Sequence, residues 1–543
     1  LSTFIEKSFI KSYMKKKILL ILIAFFAFTS VRVMAQGEDL NKLVNKYGQL
    51  LFYINNYYLD TLNNEKLTDE AIKRVLLQLD PHSSYISAKD VKAMNEPLEG
   101  NFEGVGVEFA IIRDTLTVSS TISGGPSERV GVRAGDKIVA IDGENVASAG
   151  LTNDRVFKYL RGAKGSKVTL TVHRRGSAEK LIFEVTRDRI PINSVDAAYE
   201  AAPGVVYIKL SRFASNSSQE IINSIMELNI GHIKGFILDL RGNSGGFLGT
   251  ALEISNFFLE AGQTIVYTEG MRIPQMTEKA KGSGFFKKGA LAVLVDENSA
   301  SASEIVAGAV QDWDRGVILG RRSFGKGLVQ QMLPLNDGSQ LRLTVARYHT
   351  PSGRVIQSPY EAGSTDKYYK DFLSRYNRGE SFNRDSIHFP DSLKYKTLLK
   401  GRTVYGGGGI MPDIFIPADT SHYSEYYANL VRKNIISDFM NNFSDINRSE
   451  LKNRYTTFSS FEKEFTVDNK MVKELIDFAQ IKGLEFNEKE FARSQSEILS
   501  LIKALTARTL FGTTGYFRVV NNSNDIVFQR ALDVVSKGGN LLF

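Results

Sequence analysis

The sequence predicts a multidomain α/β protein, and three observations carry that prediction. At 543 residues the chain exceeds one typical domain and has apolar residues enough for several cores. Short apolar runs that read as buried strands alternate with helical patterns from Gly204 onward. Before them lies a stretch of period-two alternation, and helical stripes flank the whole at both ends. The implied division is 1–35, 36–95, 96–190, 191–417 with an insertion at about 358–405, and 418–543.

Residues 1–35 read as a secretory signal. Lys15-Lys16-Lys17 precede an apolar run from Ile18 to Val31, Val33-Met34-Ala35 offers a small-residue cleavage site before Gln36, and Met14 stands as the initiator. The expectation is an exported chain, in a periplasm or at the outer face of the cytoplasmic membrane. Uncleaved, the run would be an N-terminal anchor, although it is short for a span of ~20 residues; membrane association stays open. This segment holds six Lys/Arg and one acid, so five of the eight net positive charges sit there and the rest of the chain gives no case for nucleic acid. The absence of cysteine excludes disulfides, thiolate metal sites, a cysteine nucleophile and a lipidated cysteine.

Leu43, Tyr47, Leu50, Leu51, Ile54 and Tyr58, then Ala71, Val75, Leu76 and Leu79, recur at helical spacing, and Asp80-Pro81-His82-Ser83 ends the pattern. His82 lies between Asp80 and Ser83, but neighbours in one turn cannot form a Ser-His-Asp relay, and a turn-stabilising role is expected. Residues Asn101 to Arg189 are β-rich: Val105–Ala110 is a strand opened by glycine, Leu116–Val118 follows, and Val168–Val172 and Leu181–Val185 alternate.

In the core, Val205–Leu210 and Gly235–Leu240 read as buried strands separated by a helix around Ser218 to Leu228. The turn Arg241-Gly242-Asn243-Ser244-Gly245-Gly246 then opens a helix with bare N–H groups, suited to an anion or oxyanion. A phosphate loop competes, but the Gly-Lys-Ser/Thr ending is missing. Arg241 and Asp239 are expected to hold the turn.

The chemistry centres on Ser299-Ala300-Ser301-Ala302-Ser303-Glu304, between the apolar strand Ala292–Val295 and a helix from Ile305. A serine at a strand-to-helix junction can expose its hydroxyl beside a helix N-terminus. Three serines compete, and Ser299 or Ser303 would serve equally as helix caps. Lys326, bounded by Gly325 and Gly327 between apolar segments, is a candidate general base: desolvation lowers a lysine pKa and leaves a neutral amine able to take a serine proton.

Ser-Ala-Ser-Ala-Ser-Glu and Phe-Gly-Lys-Gly, with Gln330 four residues past the lysine, resemble the catalytic core of the C-terminal processing peptidases, tail-specific serine proteases of peptidase family S41. The resemblance implies a ClpP/crotonase-like α/β peptidase core, with the middle serine, Ser301, as nucleophile, Lys326 as base, Gln330 orienting it, and the N–H groups of Gly246 and Ala302 as oxyanion hole. Residues 101–189 likewise resemble a PDZ domain, with Gly104-Val105-Gly106-Val107 in the place of its carboxylate-binding loop. Backbone N–H groups in such a turn can hold a terminal carboxylate, and the adjoining strand edge can pair with an extended peptide.

The family's closing Gly-Ile-x-Pro-Asp motif, here Gly409–Asp413, is delayed by about 50 residues, and the intervening stretch reads as a surface excursion. His349 is a second candidate base, although a packed histidine is the expectation. After Pro417 three apolar stripes form a helical region without visible chemistry. The expected partners are protein or peptide C-terminal tails, with a homo-oligomer or adaptor protein left open; no metal or other cofactor is required. Two alternatives stand beside this reading. One is Ser323-x-x-Lys326, the spacing of penicillin-recognising enzymes, which needs helix where Gly325 and Gly327 oppose it. The other is a PDZ-carrying peptide-binding scaffold with an inactive peptidase fold.

Overall fold

The computed structural model describes residues 39–122 and 124–539; the expected signal segment lies outside them. The chain divides into two compact units, Leu1–Val75 and Leu76–Phe543. Within the first, a helix runs through residues 39–57 and a second begins at Asn64, with Asn64 Nδ2 donating to Asn55 Oδ1 at 2.8 Å.

The second unit is the α/β body expected. Its six-stranded central sheet runs Val195–Ala202, Val205–Leu210, Gly235–Asp239, Ala290–Val295, Val317–Gly320, Ile414–Phe415, with the first pair antiparallel and the rest parallel. Every residue of the four strands from Val205–Leu210 to Val317–Gly320 is buried, which is why they read as unbroken apolar runs. Period-two geometry splits their side chains between two layers. Val206, Ile208, Phe236, Leu238, Leu291 and Val293 join the core formed with helices Ser217–Glu227, Leu248–Asn256 and Ala302–Asp312. Val205, Tyr207, Ile237, Ala292 and Leu294 face the other way, onto Val527, Phe528, Ala531, Val534 and Val535 of helix Ile526–Ser536.

That last contact gives the helical region expected after Pro417 a place against the sheet. The helix through Glu488–Ser523 is broken at Phe511 (φ −126°) and Gly512 (φ 68°, ψ −166°). Before the break the helices from Glu425 to Phe511 share their own aromatic-rich core. Beyond it, Asn521 Nδ2 donates to Tyr199 OH at 2.7 Å and the final helix closes the second face of the sheet. No helix among the described residues is long and apolar enough to cross a membrane.

The small β domain holds an antiparallel sheet in the order Val107–Ile112, Thr115–Thr121, Lys137–Ile141, Lys167–His173, Leu181–Thr186, plus helices Pro126–Arg129 and Asn153–Leu160. The strand expected over Val105–Ala110 begins two residues later: Asn101–Gly104 is a separate strand paired with Asp188–Pro191, the chain turns at Val105-Gly106, and Val107–Ile112 becomes an edge strand. Gly106 turns with φ 75°, a conformation that a side chain would strain.

A second sheet flanks the core. Its long strand Gln340–His349 pairs with Leu328–Pro334, Thr264–Glu269 and Ser84–Ile86. The Asp80–Ser83 turn therefore belongs to the body's edge. The stretch at 358–405 also differs from the expected surface excursion: its helix Thr365–Asn377 packs Phe372 against Phe324 at 4.6 Å and buries Tyr368.

Candidate active site

The three competing serines are separated by their partners. Ser299 is buried, donates to Leu240 O (2.9 Å) and accepts from Asp296 N (2.9 Å); Ser303 is buried and donates to Asn243 O (2.8 Å). Both hydroxyls thus bind the serine run to the glycine turn. Ser301 alone of the three is half exposed, and its backbone, at φ 57° and ψ −113°, lies where non-glycine residues are strained by about 1–3 kcal/mol. The surrounding bonds hold it there: its N–H donates to Glu304 Oε2 (2.8 Å) and its carbonyl accepts from Tyr348 OH (3.1 Å).

The glycine turn abuts this elbow. A Cβ added at Gly245 would meet Ala300 O at 2.8 Å, Ser301 Cβ at 2.8 Å and Ala302 N at 3.0 Å, so only glycine allows the approach. Asn243 shapes the turn by donating to Leu210 O and accepting from Gly245 N, each at 2.9 Å. Phe213 N donates to Gly245 O and Phe247 N to Phe213 O, both at 2.9 Å, which leaves Gly246 N between two engaged peptides. Among the described residues neither Gly246 N–H nor Ala302 N–H donates to a protein acceptor. Ala302 is also the first residue of helix Ala302–Asp312, where N–H groups have no intrahelical partner.

Lys326 lies on a non-helical turn, and Nζ donates to Gln330 Oε1 at 2.9 Å. Burial is the main cause that brings its pKa down to about 8, Arg342 adding to the effect while Glu304 and Asp80 oppose it. Gln330 Nε2 in turn donates to His82 O. Among the described residues no hydrogen bond joins Lys326 to the Ser301 hydroxyl. The two residues are instead bound through shared partners, since Tyr348 OH reaches both Ser301 O and Lys326 O, the latter at 2.6 Å.

The second shared partner is Glu304, a residue of the motif to which the sequence assigned no task. Its buried carboxylate accepts from Ser301 N (2.8 Å) and Lys326 N (2.9 Å) on Oε2, and from Ser323 Oγ (2.5 Å) and Gly325 N (2.7 Å) on Oε1. Burial pushes its pKa up to about 7, and these four donors pull against that shift. Ser323 is committed here, since its Oγ also accepts from Ile410 N (2.6 Å) of the delayed Gly-Ile-x-Pro-Asp motif. This excludes the Ser323-x-x-Lys326 reading.

The two histidines part company. Tyr348 and His349 are strand neighbours, so their side chains take opposite faces. His349 stacks on Tyr267 at 4.5 Å and lies 3.4 Å from Glu269, away from the Tyr348 clamp. His82 enters the site's wall. Burial first, and Lys326 second, bring its pKa down to about 4, and it packs edge-on to Tyr368 at 5.3 Å. Its turn is anchored by Asp80, which accepts from Ser83 Oγ (2.6 Å) and Thr344 Oγ1 (3.0 Å). The signal missed was long-range, because Gln330 and Thr344 reach this turn from about 250 residues away in sequence.

In the small domain, Val105 O accepts from Ser127 N (3.0 Å) and Ser127 Oγ (2.7 Å), and Gly106 O from Ile122 N (3.0 Å). The loop Gly104–Val107 is thereby fixed at the head of the edge strand. Phe157 of helix Asn153–Leu160 lies 5.6 Å from Phe109 of that strand. Among the described residues no group of three or more His, Asp or Glu could hold a metal.

Comparison with known proteins identifies the family. The sequence model described as Peptidase family S41 matches residues 204–362, that of a PDZ domain residues 117–174, and a family of unknown function residues 426–512. The "Carboxy-terminal-processing protease" of Bartonella bacilliformis is 36% identical over 355 residues, 63% of this chain and 81% of that protein. The "Probable CtpA-like serine protease" of Staphylococcus aureus is 34% identical over 320 residues, and there the match spans 62% of the relative's length. Among solved structures, the photosystem II D1 C-terminal processing protease matches with 26% identity over 69% of this chain and 87% of its own, at a TM-score of 0.35. By its identity to the Bartonella protein across four-fifths of that protein's length, the chain belongs to the carboxy-terminal-processing proteases of peptidase family S41.

Proposed function

We propose that this chain is an exported serine endopeptidase that cleaves the C-terminal regions of proteins. Ser301 attacks the scissile carbonyl, neutral Lys326 takes its proton, and Gln330 holds the lysine side chain. The N–H groups of Gly246 and Ala302 receive the oxyanion, and water activated by the same lysine hydrolyses the acyl-enzyme. The observation that carries this reading is the convergence of two turns. Glu304 and Tyr348 tie the Ser301 elbow to the Lys326 turn, while two N–H groups without protein acceptors flank the elbow.

The PDZ loop Gly104–Val107 is the proposed dock for the substrate's terminal carboxylate, and the edge strand Val107–Ile112 pairs with the residues that precede that carboxylate. Export rests on the basic and apolar run before Gln36, and N-terminal sequencing of the mature protein should begin near that residue. One experiment tests the enzymatic reading. An unfolded tail substrate is offered as free acid and as C-terminal amide to the native protein, to Ser301→Ala and to Lys326→Arg. The native protein should cleave, the acid better than the amide through tighter binding, and both variants should be folded and inactive, because arginine keeps the charge but cannot deprotonate. Cleavage by Ser301→Ala would take the nucleophile's role from Ser301, and no cleavage by the native protein would leave the scaffold reading in its place.

A further inference from the structure

The glycine turn that carries Gly246 begins at Arg241, whose side chain leaves the peptidase sheet and joins another layer. Asp239, at the end of its strand, accepts from Arg241 Nε (3.0 Å to Oδ1) and Nη2 (2.6 Å to Oδ2), from Lys209 Nζ (3.2 Å) and from Tyr207 OH (2.8 Å). On its other side Arg241 makes a two-pronged pair with Asp525, Nη1 to Oδ1 at 2.9 Å and Nη2 to Oδ2 at 2.7 Å. Lys209 also donates to the Arg241 carbonyl. The cluster is nearly dry, with side-chain exposures of 1% for Asp239, 10% for Lys209, 11% for Asp525 and 19% for Arg241. Two carboxylates face two cations, so the group is balanced only when Asp525 is included.

Asp525 is the N-cap of helix Ile526–Ser536, its Oδ1 accepting from Phe528 N at 3.0 Å. It lies beyond both the matched peptidase segment and the matched helical segment, which ends at residue 512. We infer that Asp525 is a positioning residue of the active site: by clamping Arg241 from the C-terminal helix it sets the Arg241–Gly246 turn and with it the oxyanion N–H of Gly246. This rests on the peptidase reading above. The physical link is short. Arg241 is the first residue of the turn, Gly242 N is held by Asp296 Oδ1 (2.9 Å), and Asn243 O accepts from Ala300 N (3.0 Å) and Ser303 Oγ (2.8 Å). A shift at Arg241 therefore moves peptides bonded directly to the serine elbow. Bidentate carboxylate–guanidinium pairs fix orientation as well as distance, which suits such a task.

The test separates the pair from the cap. Asp525→Asn and Asp525→Ser both retain a side chain that caps a helix well, but remove the charge that holds Arg241. In the full chain each should unfold at a lower temperature, because a buried guanidinium loses its partner, yet stay folded at the assay temperature and show kcat lowered by about tenfold with KM little changed, the mark of an interaction realised in the transition state. Affinity for a peptide boronic acid, whose tetrahedral adduct uses the oxyanion hole, should fall in step with kcat/KM. Asp525→Glu should restore part of the loss. Native kcat in both folded variants, or a loss confined to KM, overturns the inference while leaving the peptidase reading intact. If the native protein itself does not turn over substrate, it is the peptidase reading that fails.

Discussion

Glu304 receives four donors on two oxygens, and no side chain other than a carboxylate can accept from all of them. Glu304→Gln keeps the shape but turns one oxygen into a donor facing N–H groups. It should leave two buried donors unpaired, at about 1–3 kcal/mol each, and loosen both catalytic turns together. Denaturant unfolding and turnover should both fall, and a fully active, fully stable variant would deny Glu304 its coupling role. The two displaced pKa values make a second prediction. In the proposed mechanism Lys326, brought down to about 8, loses a proton to act as base, and Glu304, pushed up to about 7, must lose one to accept four donors. Both limbs have the same sign, so kcat/KM should rise between about pH 6.5 and 8.5 and show no acid-side optimum. A profile that is flat there, or that falls, would remove the lysine as base. At this scale the sequence disclosed the residue types but left three serines open. Ser299 and Ser303 are excluded by the carbonyls of Leu240 and Asn243, about 60 residues earlier, and no local pattern encodes such partners.

The helix Thr365–Asn377 shows how an element can be misread from composition. Its polar surface led to the expectation of an excursion, yet Phe372 and Tyr368 cover Phe324 and His82, and Arg375 donates to Ser323 O (3.0 Å) and Ser358 Oγ (2.8 Å). The helix thus braces the turn that carries Lys326 and helps to keep water from it. Arg375→Ala should cost about 1–3 kcal/mol by leaving the Ser323 carbonyl without its donor. Because desolvation is what lowers the lysine pKa, the midpoint of the pH profile should also move upward, toward the free-lysine value. An unchanged midpoint would mean that the insertion does not shield the base. The elements that were legible, Val205–Leu210, Gly235–Asp239 and Ala290–Val295, announce themselves because strands buried on both faces are apolar throughout. The insertion helix buries only a narrow face, so its sequence carries little of that signal.

At the scale of the molecule, the central sheet is incomplete until the last described helix is in place. A chain ended after Gly512 would keep the serine, the lysine and both turns in sequence, and it would keep the matched peptidase segment entire. It would also uncover Tyr207, Ile237, Ala292 and Leu294 and lose Val527, Phe528, Val534 and Val535 from their layer. Burying those four departing side chains alone is worth on the order of 6–12 kcal/mol at roughly 1.5–3 each. That is comparable with the whole net stability of a domain, about 5–15 kcal/mol. The truncated chain should therefore aggregate or fail to show cooperative unfolding by circular dichroism. The three apolar stripes read in the C-terminal region all join one aromatic-rich core, whereas the final helix, Ile526–Ser536, closes the peptidase sheet. Past the break at Phe511-Gly512, Val519 still joins the aromatic core while Asn521 already reaches Tyr199 of the sheet. A soluble, cooperatively unfolding and active chain ending at Gly512 would show that one layer of helices suffices for this sheet, and would detach the C-terminal helix from both stability and catalysis.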